Sequence, residues 1–169
     1  MIFIADVLSA EVIRGLNFAL FERGVNYVVV DERVDDPKEI RRMIEAVSAS
    51  ALDQLLGAVP SFGEPTMPAA WSHWMAAAVA QQFWPDGNHR TAFAAFNIVL
   101  QETTGTELSL PEAAVHELLA GSKKIIQSRP TLPGKPVFTI EEVVADDHPY
   151  RRHFRSFEDQ LVRGPWRHP

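Results

Sequence analysis

The strongest constraint on the fold of this chain is a short polar turn that separates two long apolar segments. The turn covers residues 83–91 and reads FWPDGNHRT. The segment before it, 67–82, is rich in alanine and carries Trp71 and Met75 at helical spacing. The segment after it, 91–104, has apolar residues on most of its helical faces. We therefore predict a domain whose core is built on this helix, turn and helix.

The turn has the residue types of a helix start that binds anions. Pro85 cannot continue the first helix because it lacks an N–H, Gly87 permits a positive φ, and Asn88 is the predicted N-cap of the second helix. A helix N-terminus carries a partial positive charge and unpaired amides, and the Arg90 guanidinium matches the geometry of phosphate. We therefore expect phosphate to be bound by Gly87, Asn88, His89 and Arg90.

Asp86 lies directly beside this predicted phosphate site. A carboxylate next to bound phosphate is unfavourable unless a cation lies between them. Mg²⁺ is a cation that commonly binds through one or two carboxylates together with the phosphates of a substrate. The sequence therefore predicts Mg²⁺ at Asp86 and points to nucleotide phosphate chemistry.

Residues 83–91 resemble the core motif of the Fic/Doc (death-on-curing) family, whose pattern is His-Pro-Phe-x-Asp/Glu-Gly-Asn-Gly/Lys-Arg. The resemblance extends over roughly residues 51–121: Leu52–Pro60 is similar to a Leu-rich segment ending in Pro, and Gly105–Leu108 to the turn after the central helix. It implies a mainly α fold, a helical bundle around a buried central helix with a small β-hairpin or flap. It also implies transfer of an AMP or phosphoryl group from ATP or another nucleoside triphosphate to a protein hydroxyl, with Mg²⁺. The resemblance further implies two kinds of protein partner, a target protein and an antitoxin-like partner.

The sequence departs from the family at the position of the general base. The catalytic histidine of the motif aligns with Gln82, and the phenylalanine aligns with Trp84. Glutamine forms hydrogen bonds but accepts no proton at neutral pH, and loss of a general base lowers a rate by roughly a hundredfold to ten-thousandfold. His89 is the nearest other candidate for proton transfer. The candidate catalytic positions are therefore Gln82 and His89.

Three interpretations of the turn remain open from the sequence. The first is a Fic/Doc-like transferase with impaired or altered catalysis. The second is a catalytically inactive interaction module that binds a nucleotide or phosphate. The third treats Asp86-Gly87-Asn88 only as a turn and cap between two helices, and the clustering of Asp, Asn and Arg argues against it.

Local signals divide the rest of the chain. We expect a Fic/Doc-like helical domain at 1–127 and a proline-rich linker with a helical extension, docked on the same domain, at 128–169. The predicted segments are a helix from Ser9 to Arg23, a strand or flap at Val25–Asp31, one helix from Asp36 to Leu56, a loop from Pro60 to Pro68 with Phe62 packing over the site, a capped helix from Ser109 to Gly121, a capping box at Thr139, and a final helix with the apolar stripe Tyr150, Phe154, Phe157 and Leu161.

Composition limits the class of partner and the compartment. The net charge of −6 and the pI near 5.5 argue against a general nucleic-acid binder, which needs a basic face. No apolar run is long enough to cross a membrane, and the first four residues lack the basic start of a signal peptide. With no cysteine in the chain, we expect a cytoplasmic location. We treat His148, His153 and His168 as surface residues because their spacing does not suit a metal.

Overall fold

The computed structural model describes residues 4–23, 36–58, 66–128, 138–145 and 147–165. It is mainly helical with a two-stranded antiparallel sheet, so the predicted mainly α fold with a small β element is confirmed. The elements are α1 Ile4–Val7, α2 Ala10–Glu22, α3 Pro37–Glu45, α4 Ala49–Ala58, α5 Met67–Ala80, α6 Asn88–Thr104, β1 Thr106–Ser109, α7 Glu112–Gln127, α8 Ile140–Val144, α9 Pro149–Arg155 and β2 Val162–Pro165. A short 3-10 turn, Glu158–Gln160, precedes β2.

Helix α5 forms the centre of the core. Every residue from Ala70 to Ala80 is buried, including the polar residues Ser72 and His73 among the alanines and tryptophans. Helix α6 packs along it, and the Trp74 Nε1 donates a hydrogen bond to the Ala92 carbonyl at 2.7 Å. Helix α9 packs on another side, with the Trp71 and Phe154 rings edge to face at 5.9 Å. The predicted core helices are confirmed, and α5 is the more enclosed of the two.

The sheet joins two distant parts of the chain. Strand β1 pairs antiparallel with β2, from Thr106 opposite Pro165 to Ser109 opposite Val162. The Asn97 side chain of α6 donates to the Leu108 carbonyl and accepts from the Leu108 amide, both at 2.9 Å. Helix α6 thereby holds the second edge of β1 where a further strand would pair.

Two predicted helix boundaries were wrong. The single helix expected from Asp36 to Leu56 is two helices, because the Ser48 side chain accepts from the Ala51 amide and starts α4. Helix α7 does not end at Gly121 but continues to Gln127. Gly121 lies inside the helix, where the His153 ring of α9 occupies the space that a Cβ would fill.

The predicted caps are correct at some helices, α8 among them, and wrong at others, α7 among them. Thr139 and Glu142 form the expected capping box of α8. Pro111 occupies the N-cap of α7, which therefore has no side-chain cap. His148 was expected on the surface but is buried, because its Nδ1 accepts from the Tyr150 amide and caps α9.

The tail predicted as one helix is shorter than expected. Tyr150, Phe154 and Phe157 are buried as predicted, but α9 ends at Arg155 and the chain continues as a 3-10 turn and a strand. The flap predicted at Val25–Asp31, Phe62, the proline-rich linker and His168 lie outside the described residues. Among the described helices, none combines the length and hydropathy that a membrane span requires.

Candidate functional site

The turn between α5 and α6 is built on two residues with positive φ. Gln82 (φ 47°) follows Gln81, the C-cap of α5, and Gly87 (φ 76°) is the N-cap of α6. The prediction of Asn88 as the N-cap was wrong, because Asn88 is already the first helical residue. Its side-chain amide instead donates to the Trp84 carbonyl at 2.8 Å and its Oδ1 accepts from the Trp84 amide at 3.1 Å. Asn88 therefore closes residues 84–88 into a compact loop.

A second asparagine fastens this loop to helix α2. The Asn17 side chain is fully buried and donates to the Asp86 carbonyl at 2.9 Å and to the Thr91 Oγ1 at 3.0 Å. Each such hydrogen bond contributes about 1 kcal/mol to stability. The sequence analysis missed Asn17, although an asparagine among the apolar positions Ile13, Leu16 and Leu20 was a detectable signal.

Asp86 and Arg90 form an ion pair one helical turn apart. The Arg90 Nη2 lies 3.2 Å from the Asp86 Oδ2, and the two side chains are 37% and 28% exposed. Both charges can therefore be reached from solvent, and in the structure each is partly neutralised by the other. The backbone amides of Asn88 and His89 have no hydrogen-bond acceptor within the described part of the chain.

The ion pair opens onto a cleft of about 730 Å³ whose lining is mostly apolar. The lining begins at residues 86–90 and follows α6 through Asn97. The remaining walls come from α2, α5, β1 with the residue after it, and α7: Leu20, Met75, Leu108, Ser109, Leu110, Val115, Leu118 and Leu119. A cleft of this size and character is typical of small-molecule sites.

The His89 imidazole faces helix α7. Its Nε2 lies 2.7 Å from the Ser122 Oγ, and Ser122 is fully buried beside the Tyr150 hydroxyl. Burial, with a smaller contribution from His153, lowers the pKa of His89 from 6.5 to about 4. The ring is therefore neutral at physiological pH and a weak base. Its backbone amide, in contrast, lies in the first turn of α6 with those of Asn88 and Arg90.

Gln82 contacts the predicted site through Asn88 but does not line the cleft. Its Nε2 donates to the Val79 carbonyl at 2.6 Å, and its Oε1 accepts from the Asn88 side chain at 3.5 Å, a long hydrogen bond. Gln82 lies outside the described lining of the cleft, whereas Asp86, Gly87, Asn88, His89 and Arg90 all belong to it. The structure thus brings the five predicted ligand-binding residues together without Gln82.

The donor set around Asp86 suits Mg²⁺ only with help from a ligand. Within the described ranges, no group of three His, Cys, Asp or Glu side chains could hold a metal ion. Asp86 supplies one carboxylate, which fits a Mg²⁺ ion that takes its other ligands from phosphate oxygens and water.

Comparison of the chain with protein-family models, with curated proteins and with solved structures finds no match.

Proposed function

We propose that this chain is a Fic/Doc-like binding module that holds a nucleotide or another phosphate-bearing ligand at the turn from Asp86 to Arg90. The observation that carries the proposal is the position of the Arg90 guanidinium and the first turn of α6 at the same cleft. A guanidinium and backbone amides that converge on one point are a typical phosphate site.

Binding would proceed by an exchange of partners. The Arg90 guanidinium, now paired with Asp86 at 3.2 Å, would turn to the phosphate, and the amides of Asn88 and His89 would donate to the same group. The Asp86 carboxylate, no longer paired with Arg90, would then lie beside the negatively charged phosphate. A Mg²⁺ ion held by the Asp86 carboxylate would offset the repulsion between the two negative groups.

The two candidate base positions favour binding over transfer. Transfer of an AMP or phosphoryl group to a hydroxyl requires that the hydroxyl proton be accepted. Gln82 accepts no proton and is engaged with Val79 and Asn88. His89 is unprotonated near neutral pH, but its pKa of about 4 makes it a poor acceptor, and its Nε2 is engaged with Ser122.

Titration calorimetry with ATP, AMP and pyrophosphate, with and without Mg²⁺, tests the phosphate site. We expect Arg90→Ala to weaken binding by roughly tenfold or more, because a hydrogen bond to a charged group is worth about 1.5–3 kcal/mol. Arg41→Ala is the matched control, since Arg41 also forms an exposed ion pair at 3.2 Å, with Glu22. Wild-type protein that binds no phosphate compound at millimolar concentration with Mg²⁺ would contradict the proposal.

Mass spectrometry of lysate proteins incubated with ATP separates binding from transfer. We expect no AMP or phosphate adduct from the wild type. Gln82→His is the informative variant, because it restores the residue of the family motif. Adducts formed by the wild type would show that the protein is a transferase and would contradict the binding-module proposal. Adducts from Gln82→His alone would show that the loss of the base is what separates this chain from the enzymes.

A further inference from the structure

The walls of the cleft carry unusually exposed apolar side chains. Val115 and Leu119 are 38% and 42% exposed, and both line the cleft from α7. They lie one helical turn apart, on either side of Leu118, which is buried at 4%. Exposed apolar groups that gather beside a polar site are characteristic of ligand-binding grooves.

Beyond the turn, the described walls carry the polar side chains of Asn97 and Ser109, and that of Asn97 is already used by the fold. Asn97 is the amide side chain beyond the turn, and both its donor and its acceptor atoms bind the backbone of Leu108. Phe93 and Ala94 lie between Asn97 and the turn on the same helix, and Leu110 continues the apolar surface beyond β1. The described walls therefore offer mainly apolar contact to whatever extends from the phosphate.

We propose that the site prefers phosphate monoesters of apolar alcohols, with the phosphate at Arg90 and the apolar group along the α7 wall at Val115 and Leu119. This inference rests on the proposed phosphate site and names the class of ligand. A fully buried methylene improves binding about fourfold, since it contributes about 0.8 kcal/mol. The cleft is open to solvent, so only part of the alkyl group of the ligand would be buried. We expect octyl phosphate to bind at least roughly tenfold more tightly than inorganic phosphate.

Calorimetry with inorganic phosphate, methyl phosphate and octyl phosphate measures what the octyl group contributes to the affinity. Octyl phosphate is kept below the concentration at which it forms micelles. Val115→Ser should reduce the affinity for octyl phosphate by roughly threefold to tenfold and leave that for inorganic phosphate unchanged. Val12→Ser is the matched control, because Val12 on α2 is equally exposed at 39% and does not line the cleft. Thermal denaturation of both variants checks that they fold.

The outcomes distinguish this inference from the function on which it rests. If inorganic phosphate binds at Arg90 but octyl phosphate gains nothing, the apolar preference is wrong and the phosphate site stands. If octyl phosphate still binds more tightly than inorganic phosphate in Val115→Ser and Leu119→Ser, the octyl group binds elsewhere on the protein. The inference is then also wrong. If no phosphate compound binds, both proposals fail. Sedimentation with phosphatidic-acid vesicles tests whether the phosphate ester is instead a membrane lipid. Binding to vesicles, with no tighter binding of octyl phosphate than of inorganic phosphate, would show that the ligand is not a free ester.

Discussion

Removal of the Asp86 charge should strengthen anion binding when Mg²⁺ is absent. Asp86 competes with an incoming phosphate in two ways, because it occupies the Arg90 guanidinium at 3.2 Å and because its own charge repels the anion. Asp86→Asn keeps the size and hydrogen-bonding shape of the side chain. The Arg90 guanidinium would then have no charged partner from Asp86, and the repulsion would be gone.

The size of the effect follows from the geometry of the pair. Two unit charges about 4 Å apart interact by about 1 kcal/mol in water and by about 4 kcal/mol at the effective dielectric constant of a protein surface. The Asp86 side chain is 28% exposed, which places it between these limits. At about 1.4 kcal/mol per factor of ten, Asp86→Asn should tighten binding of inorganic phosphate roughly tenfold to a hundredfold. Solvent-accessible pairs at i, i+4 spacing contribute only about 0.3–0.5 kcal/mol to stability, so the fold should be retained.

Calorimetry with inorganic phosphate in a chelating buffer, and again with Mg²⁺ and ATP, provides the assay. We expect Mg²⁺ to improve ATP binding by the wild type and to have little effect on Asp86→Asn. Glu102→Gln, which removes an exposed charge at the far end of the same helix, controls for net charge. Equal phosphate affinity in the wild type and Asp86→Asn would refute the reasoning that Asp86 competes for Arg90.

Two further predictions concern stability and are measured by thermal and chemical denaturation. Gly121→Ala should destabilise the protein by about 1–3 kcal/mol because the added Cβ meets the His153 ring, whereas Gly15→Ala, in the open middle of α2, should stabilise it by about 0.5–1 kcal/mol. The opposite result for either glycine would contradict the packing described. Asn17→Ala should cost about 2 kcal/mol through the loss of its hydrogen bonds to Asp86 and Thr91, and an unchanged stability would show that the turn is held otherwise.

Local signals were sufficient for much of the helical fold. Ser9, Asp36 and Thr139 begin their helices as predicted, because an N-cap is decided by a few neighbouring residues. Gly105 ends α6 with a positive φ, as a glycine at that position favours. The charged residues of the candidate site, Asp86 and Arg90, were found for the same reason, since both belong to one short turn.

What the sequence could not predict depends on partners far along the chain. Asn17 lies 69 residues from Asp86, and His89 lies 33 residues from Ser122. The β1–β2 pairing joins a short strand to the C-terminal region, and neither strand has a strong alternating pattern of its own. The true N-cap was also missed, because asparagine is the residue type favoured at an N-cap, whereas Gly87 fills this one without any side-chain hydrogen bond.

Burial of His89 should make the protein less stable in mild acid. The folded state lowers the pKa of His89 from 6.5 to about 4, so it binds this proton less readily than the unfolded chain does. Stability from this group is therefore complete above pH 6.5. It declines as the pH falls towards 4 and changes no further below that value, where both states are protonated. The shift corresponds to at most about 3 kcal/mol at about 1.4 kcal/mol per pH unit.

Urea denaturation between pH 7 and pH 4 measures this loss against a variant without the imidazole. His89→Gln removes the titrating group and leaves an amide that can still bond to Ser122, so its free energy of unfolding should decline less with falling pH than that of the wild type. His116→Gln is the control, because it makes the same substitution at a histidine whose side chain is 76% exposed. The difference between the wild-type curve and the His89→Gln curve reports on His89. Parallel curves for the wild type and His89→Gln would mean that the imidazole is hydrated in solution. The argument that His89 is a poor proton acceptor in the cleft would then no longer hold.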